Sequence, residues 1–271
     1  MTFKHLPHPF HWRSIRNIST EEIPNLMNYL GIKIDKDFYL KSNWNYFKQY
    51  DVFDIDGHPL FHIKKSMAIN VFFEAISLHI ARIIDIDLCP NNYIVGNYDV
   101  GFWRWKSPIP FVLTTYCEGK TLKKGEILYH LYNIGRHFIF HKFLNLYDVH
   151  ERHFIFNNNI LKRIDYYLSF RELEGKYYGF DRWIKKYDLF NRSEFLQGAS
   201  FEVKRIKNNL IKNKKDFLEF ISALKFICME KSDDKMYNLF YDKLLKYWEN
   251  NCSDIFQGLN IKLEEPIYTE K

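Results

Sequence analysis

Asp148 and Asp165 are placed to do chemistry together. They bracket the run Tyr147-Asp148-Val149-His150-Glu151-Arg152-His153-Phe154-Ile155-Phe156, the triplet Asn157-Asn158-Asn159, and Ile160-Leu161-Lys162-Arg163-Ile164-Asp165. This pattern predicts a loop, a short apolar strand, a polar three-residue turn, a second strand, and an acid at its end. Two carboxylates so placed suit phosphoryl transfer. One accepts or orients the proton of an attacking hydroxyl, the part assigned to Asp148, and the other, Asp165, holds Mg²⁺ on nucleotide phosphates. His150 and His153 join Asp148 as catalytic candidates. His153 is also a candidate second metal ligand, although Mg²⁺ prefers oxygen and the ring could instead hydrogen-bond Asp148 or a phosphate. A surface hairpin with unrelated acids is the competing interpretation. Zinc is not expected, because His150-Glu151-Arg152-His153 lacks the helical spacing of a zinc-protease site.

The elements that must carry these residues change character along the chain. Ser19-Thr20-Glu21-Glu22 has capping-box spacing, and Gly31 is a stop signal. Tyr46 to Ile55 and Leu60 to Lys65 are strand-like about the turn signal Asp56-Gly57. Ile69, Phe72, Phe73, Ile76, Ile80, Ile83 and Ile84 recur at helical spacing, ending before Cys89-Pro90. Tyr93 to Val95, Gly101 to Trp105 and Phe111 to Tyr116 follow as strands. Beyond Glu118-Gly119 helices dominate, and Ile127 to Leu144 leads straight into the Asp148 loop. The stretch from Asp165 to about Gly179 reads as a mobile loop. Asp216 to Met229 and Met236 to Glu249 carry apolar stripes that suit a core. The expected organisation is therefore α+β in two lobes: residues 1–117 with an antiparallel sheet, and residues 118–271 as a helical half carrying the acids.

That order brings further residues into play. Phe61-His62-Ile63-Lys64 alternates and ends in a lysine, and Glu74 lies on the next helix. A strand lysine oriented by a helix glutamate can direct its ammonium at nucleotide α/β-phosphates. Lys64 is preferred to its neighbour Lys65 because it keeps the alternation. It is expected on a solvated face, where replacement is tolerated. Phe111 to Leu122 reads as a strand entering a hinge, whose backbone offers donors and acceptors to adenine. Thr115 and Cys117 are the candidate nucleotide-binding positions there.

Taken in order, Lys64, Glu74, the hinge, Asp148, His153 and Asp165 resemble the protein-kinase-like superfamily in its broad, atypical sense, over roughly residues 38 to 190. Locally the chain is similar to the bacterial lipopolysaccharide-core sugar kinases. Asp148 with His153-Phe154, Ile164-Asp165, Arg182-Trp183 and Lys186-Tyr187-Asp188-Leu189 match motifs of that family. A weaker resemblance, to kinase-like families with an Asp-x-His motif, implies that His150 braces the loop. The resemblance implies a two-lobed kinase fold, ATP and Mg²⁺ as cofactors, and a hydroxyl acceptor on a sugar, glycolipid or protein. Several positions depart from the pattern. Ser42-Asn43-Trp44-Asn45 stands where a glycine-rich loop would precede the lysine strand. Leu146-Tyr147-Asp148 replaces His-Arg-Asp, Tyr166-Tyr167 replaces Phe-Gly, and no Ala-Pro-Glu marks a peptide platform. These departures make a pseudokinase-type binding or scaffold protein the second reading. A bland reading also stands for Trp183, as a core residue of a helix.

Composition narrows the field. In 271 residues, 46% hydrophobic content with 27% charged excludes a disordered chain. The net charge of +6 suits an anionic partner, whether a nucleotide, a phosphorylated sugar or a membrane surface touched peripherally. No basic arm or zinc-finger spacing accompanies it, so no nucleic-acid partner is expected. Cys89, Cys117, Cys228 and Cys252 form no CxxC pair and read as buried apolar residues of a reducing compartment. The N-terminal residues lack an apolar signal core, and no apolar run nears the ~20 residues a membrane span needs. The expected location is the cytoplasm, including the inner face of a membrane.

Overall fold

A computed structural model describes residues 38–43, 49–54, 57–65, 68–90, 93–98, 109–166, 169–170, 173, 179–230 and 239–257. The expected Ser19 helix start, the Gly101 to Trp105 strand and most of the 165–179 loop lie outside these residues. The fold is mixed helix and sheet, and the chain divides into two units. One comprises Met1–His79 with Pro90–Cys117, the other Ile80–Cys89 with Glu118–Lys271.

The first unit contains strands β1 (Phe38–Asn43), β2 (Gln49–Asp54), β3 (Pro59–Lys65), β4 (Tyr93–Tyr98) and β5 (Ile109–Thr115). They form one sheet in the order β1-β2-β3-β5-β4, with every pair antiparallel. The β2–β3 hairpin falls where Asp56-Gly57 marks a turn. Gly57 holds φ 82°, a left-handed conformation that glycine adopts without a Cβ clash. Helix α1 (Ala68–Ile83) follows β3 and is buried at polar as well as apolar positions, Asn70, Glu74 and Ser77 included. Phe72, Phe73, Ala75, Ile76, Leu78 and Ile80 are all buried, as a helix enclosed by its own protein must be.

The end of α1 belongs to the second unit. Asp85 sits at φ 48°, and Asp85 N and Ile86 N donate to Arg82 O and Ala81 O, closing a Schellman-type cap. Asn209 Nδ2 and Asn213 Nδ2 bond the Ile84 and Ile83 carbonyls at 2.6 and 2.5 Å. This unit has a small sheet, β6 (Lys120–Thr121), β7 (Phe154–Asn157) and β8 (Ile160–Arg163), antiparallel in that order. Its helices are α2 (Leu131–Phe143), α3 (Asp181–Tyr187), α4 (Ser193–Lys212), α5 (Lys214–Glu230), α6 (Phe240–Asn251) and α7 (Ser253–Phe256). One core joins Leu122, Ile134, Phe154, Leu161, Phe180, Trp183 and Phe195. A second stacks Phe143 on Trp248, with ring centres 5.2 Å apart, beside Phe217 and Phe256.

Helices α2 and α4 meet at a glycine notch. An added Cβ at Gly135 would collide with the Phe195 carbonyl oxygen, and one at Gly198 with the Tyr132 carbonyl oxygen. Two glycines thus let the backbones approach more closely than any side chain would permit. Near the crossing, Arg136 Nε bonds the fully buried Glu202 at 2.8 Å, and Asp87 accepts from both Arg136 and Arg205. Burial works against ionisation of Asp87, but the hydrogen bonds from the two arginines outweigh it and bring its carboxyl down to about 2. Among the described residues no helix is long and apolar enough to cross a membrane.

Candidate functional site

The end of α2 determines where Asp148 falls. Asn145 occupies the left-handed region at φ 45°. Asn145 N donates to Lys142 O at 3.1 Å and Leu146 N to His141 O at 2.9 Å, again a Schellman pattern. Asparagine tolerates that conformation through its short polar side chain. Tyr247 Oη and Trp248 Nε1 then bond the Lys142 and Phe143 carbonyls at 2.6 and 2.8 Å. The chain leaves this fixed helix end through buried Leu146. Val149 N donates to Tyr147 O at 3.0 Å, which closes a tight three-residue turn about Asp148.

The β7–β8 hairpin places Asp165. Its turn is formed by Asn158 and Asn159, both left-handed at φ 48° and 63°, as a type I′ turn requires. Asn157 belongs to the strand and pairs with Ile160, so the turn has two residues where three were expected. Along β8 the side chains alternate, and Leu161 and Arg163 are both fully buried. Ile164 N donates to His153 O at 2.9 Å, and Asp165 follows at φ 78°. A non-glycine residue in that region is uncommon and costs free energy that its surroundings must offset.

Of the expected residues, Asp148, His150 and Asp165 lie around one imidazole, that of His153. His150 Nε2 is 3.0 Å from Asp148 Oδ1. His153 Nδ1 is 3.7 Å from Asp148 Oδ2, and His153 Nε2 is 4.0 Å from Asp165 Oδ2. Burial, and next the Arg163 cation, push the His153 imidazole down to about 4, against the pull of both carboxylates. The ring is therefore neutral at pH 7, and its contacts with the acids are not ion pairs. Arg152 Nε donates to His153 Nε2 at 3.3 Å, so Nδ1 carries the proton. That proton faces Asp148, with the backbone oxygen 3.4 Å from Nδ1. Of the two roles open to His153, this tautomer favours contact with Asp148, because Nε2 already accepts a hydrogen bond.

Sequence reasoning did not identify Arg163. Its Nη2 donates to Asp148 O at 2.5 Å and to Asp165 O at 3.1 Å, while its guanidinium lies against the Phe154 and Tyr166 rings. Period-two alternation with Leu161 was the available signal, since it puts Arg163 on the buried face of β8. Beneath the site, His137 and His141 are fully buried one helical turn apart. Burial pushes His137 down to about 3 and His141 well below the usual imidazole range.

In the first unit, Lys64 Nζ lies 3.2 Å from Glu74 Oε2. Lys64 is only 5% exposed, which overturns the expectation of a solvated face. That burial is possible because Glu74 neutralises the ammonium. Of the hinge positions, Thr115 ends β5, and Cys117 is half-buried just beyond it. Beyond the acids, the residues that carry the family resemblance lie in and just after α3. Trp183 is core, Arg182 is exposed, and Asp188 ends α3 in the left-handed region while its carboxylate accepts from Asn191.

Among the described residues, no cluster of three or more His, Cys, Asp or Glu side chains could hold a metal ion. No protein-family model matches the chain, and no curated protein matches it.

Proposed function

We propose that this chain is an ATP-dependent phosphotransferase of two-lobed, protein-kinase-like fold that acts on an alcohol. One observation carries the reading. Two carboxylates 17 residues apart in sequence approach opposite nitrogens of one buried, neutral imidazole, His153. Asp165 also adopts the kind of unfavourable backbone conformation that collects at functional sites.

In this reading the acceptor hydroxyl oxygen attacks the γ-phosphorus, the bond from phosphorus to the β–γ bridging oxygen breaks, and ADP leaves. Asp148 accepts or orients the hydroxyl proton, with His150 and His153 fixing its carboxylate. Asp165 is the metal-side acid. Mg²⁺ characteristically takes one or two protein carboxylates and completes its octahedron with water and phosphate oxygens. A single partly exposed carboxylate fits that donor set, whereas the His153 nitrogen does not. When bound, Mg²⁺ neutralises charge on the phosphate oxygens. Lys64, oriented by Glu74, is assigned to the nucleotide phosphates, and the backbone at Thr115 and Cys117 to the adenine. The acceptor class stays broad: a sugar, glycolipid or protein.

Incubation with γ-labelled MgATP and separated protein, lipid and soluble fractions tests the reading. It expects label on a hydroxyl in one fraction, with labelling about 10²–10⁴-fold slower in Asp148→Asn. A second reading, a nucleotide-binding scaffold, draws support from the departures from the kinase pattern, Leu146-Tyr147-Asp148 and Tyr166-Tyr167 among them. Stabilisation by MgATP with neither hydrolysis nor transfer would favour it.

A further inference from the structure

We infer that Arg163 is a positioning residue whose single guanidinium sets the placement of both acids, an inference that rests on the phosphotransferase reading above. Arg163 is fully buried, and one nitrogen, Nη2, donates to the backbone oxygens of Asp148 and Asp165. It touches neither carboxylate through those bonds, so it acts on the acids by fixing where the two loops lie. The link matters because the acids lie in separate segments, the turn after α2 and the end of β8. The bond to Asp165 O also falls at the residue whose backbone is left-handed, and so helps retain that conformation.

The residue type fits the task. Guanidinium stays charged when buried and offers several donors in a planar fork, whereas a lysine ammonium is a point charge that shifts readily to neutral in such a place. The faces of Phe154 and Tyr166 hold the plane, with ring centres 5.6 and 5.8 Å from its central carbon. Beside it, Arg163 N donates to Leu88 O at 2.7 Å and Ile164 N to His153 O, so the backbone at this point is fixed from both sides. A residue serving only as core filler would be replaceable by an apolar side chain of similar length without effect on the acids.

The test uses the full chain with MgATP as ligand and water as acceptor, which yields ADP, phosphate and a proton. Calorimetry gives MgATP affinity, and a single-turnover measurement gives the hydrolysis rate. Arg163→Met should lose affinity and about 10²-fold in rate, the scale of a misplacement near 1 Å. Arg163→Lys, which keeps a cation, should fall between Arg163→Met and parent and serves as the test if Arg163→Met does not fold. Millimolar guanidinium should restore part of the rate to Arg163→Met only. Because the residue acts through both acids, Arg163→Met should slow the Asp148→Asn protein less than it slows the parent, the remaining loss coming through Asp165. Likewise Asp165→Asn/Arg163→Met should bind no worse than Asp165→Asn.

Folded Arg163 variants with parental affinity and rate, or losses that simply add to those of the acid variants, would overturn the inference alone. Parental behaviour in Asp148→Asn and Asp165→Asn, or a parent that neither binds nor hydrolyses MgATP, would overturn the phosphotransferase reading and this inference with it.

Discussion

Lys64 Nζ and Glu74 Oε2 lie 3.2 Å apart, with side chains only 6% and 8% exposed. Removing one partner from such a pair strands the other charge, at a cost of about 3–5 kcal/mol. Lys64→Ala should therefore destabilise the protein strongly. The double variant Lys64→Met/Glu74→Leu should recover most of the loss. Urea unfolding of both singles and the double measures the coupling. Nucleotide affinity belongs in the double variant, where it can be separated from folding, and it should be reduced.

The two acids should fail in different ways. Asp165→Asn removes a hard anionic ligand, so MgATP affinity and rate should both fall. Asp148→Asn leaves that ligand in place and removes the group that handles the acceptor's proton. Its affinity should survive while single-turnover transfer drops about 10²–10⁴-fold. Equal losses of affinity in both variants would contradict the division of labour.

Backbone strain at Asp165 gives a third expectation. At φ 78° an alanine meets its own carbonyl and a glycine does not. Asp165→Gly should thus be more stable than Asp165→Ala by about 1 kcal/mol, the reverse of their order in a helix. Thermal melts of the two proteins decide it.

Much of this architecture was legible because apolar periodicity and turn chemistry agree locally. The β2–β3 hairpin, α1 and the β7–β8 hairpin all follow from such signals. Helix α4 was not foreseen, although it is the longest among the described residues. Its buried stripe runs Phe195, Gly198, Glu202, Ile206, Leu210. A glycine and a glutamate occupy two of those five positions, so the hydrophobic period disappears from the sequence. Glu202 is tolerated there only because Arg136 reaches it from α2, a partner 66 residues away. Arg163 was missed for a related reason: a cation in a short strand reads as solvated until its carbonyl partners are known.

Stability should decline on mild acidification. His137 and His153 are pushed down to about 3 and 4, and His141 is lowered too, all chiefly by burial. Unfolded imidazoles protonate near 6.5, so below that pH the unfolded chain binds more protons than the folded one. The stabilising contribution is complete above about pH 6.5 and is lost as pH falls toward the folded values. With three such groups the slope reaches about 4 kcal/mol per pH unit. Glu202, raised by burial, acts in the opposite sense and offsets part of it. Denaturant melts at pH 7 and pH 5 measure the effect, and His141→Leu should reduce the slope by about one proton's worth.

The glycine notch between α2 and α4 has a consequence for how this chain can change. Each missing methyl group is occupied by a carbonyl of the opposite helix, not by a side chain. Gly135→Ala or Gly198→Ala therefore has no second-site suppressor of the ordinary kind, because trimming a neighbouring side chain vacates no room. Only moving a whole helix would relieve the clash. The end of α2 that launches the Asp148 turn would move with it. The crossing is a mutational dead end, and drift is confined to the outward faces of both helices.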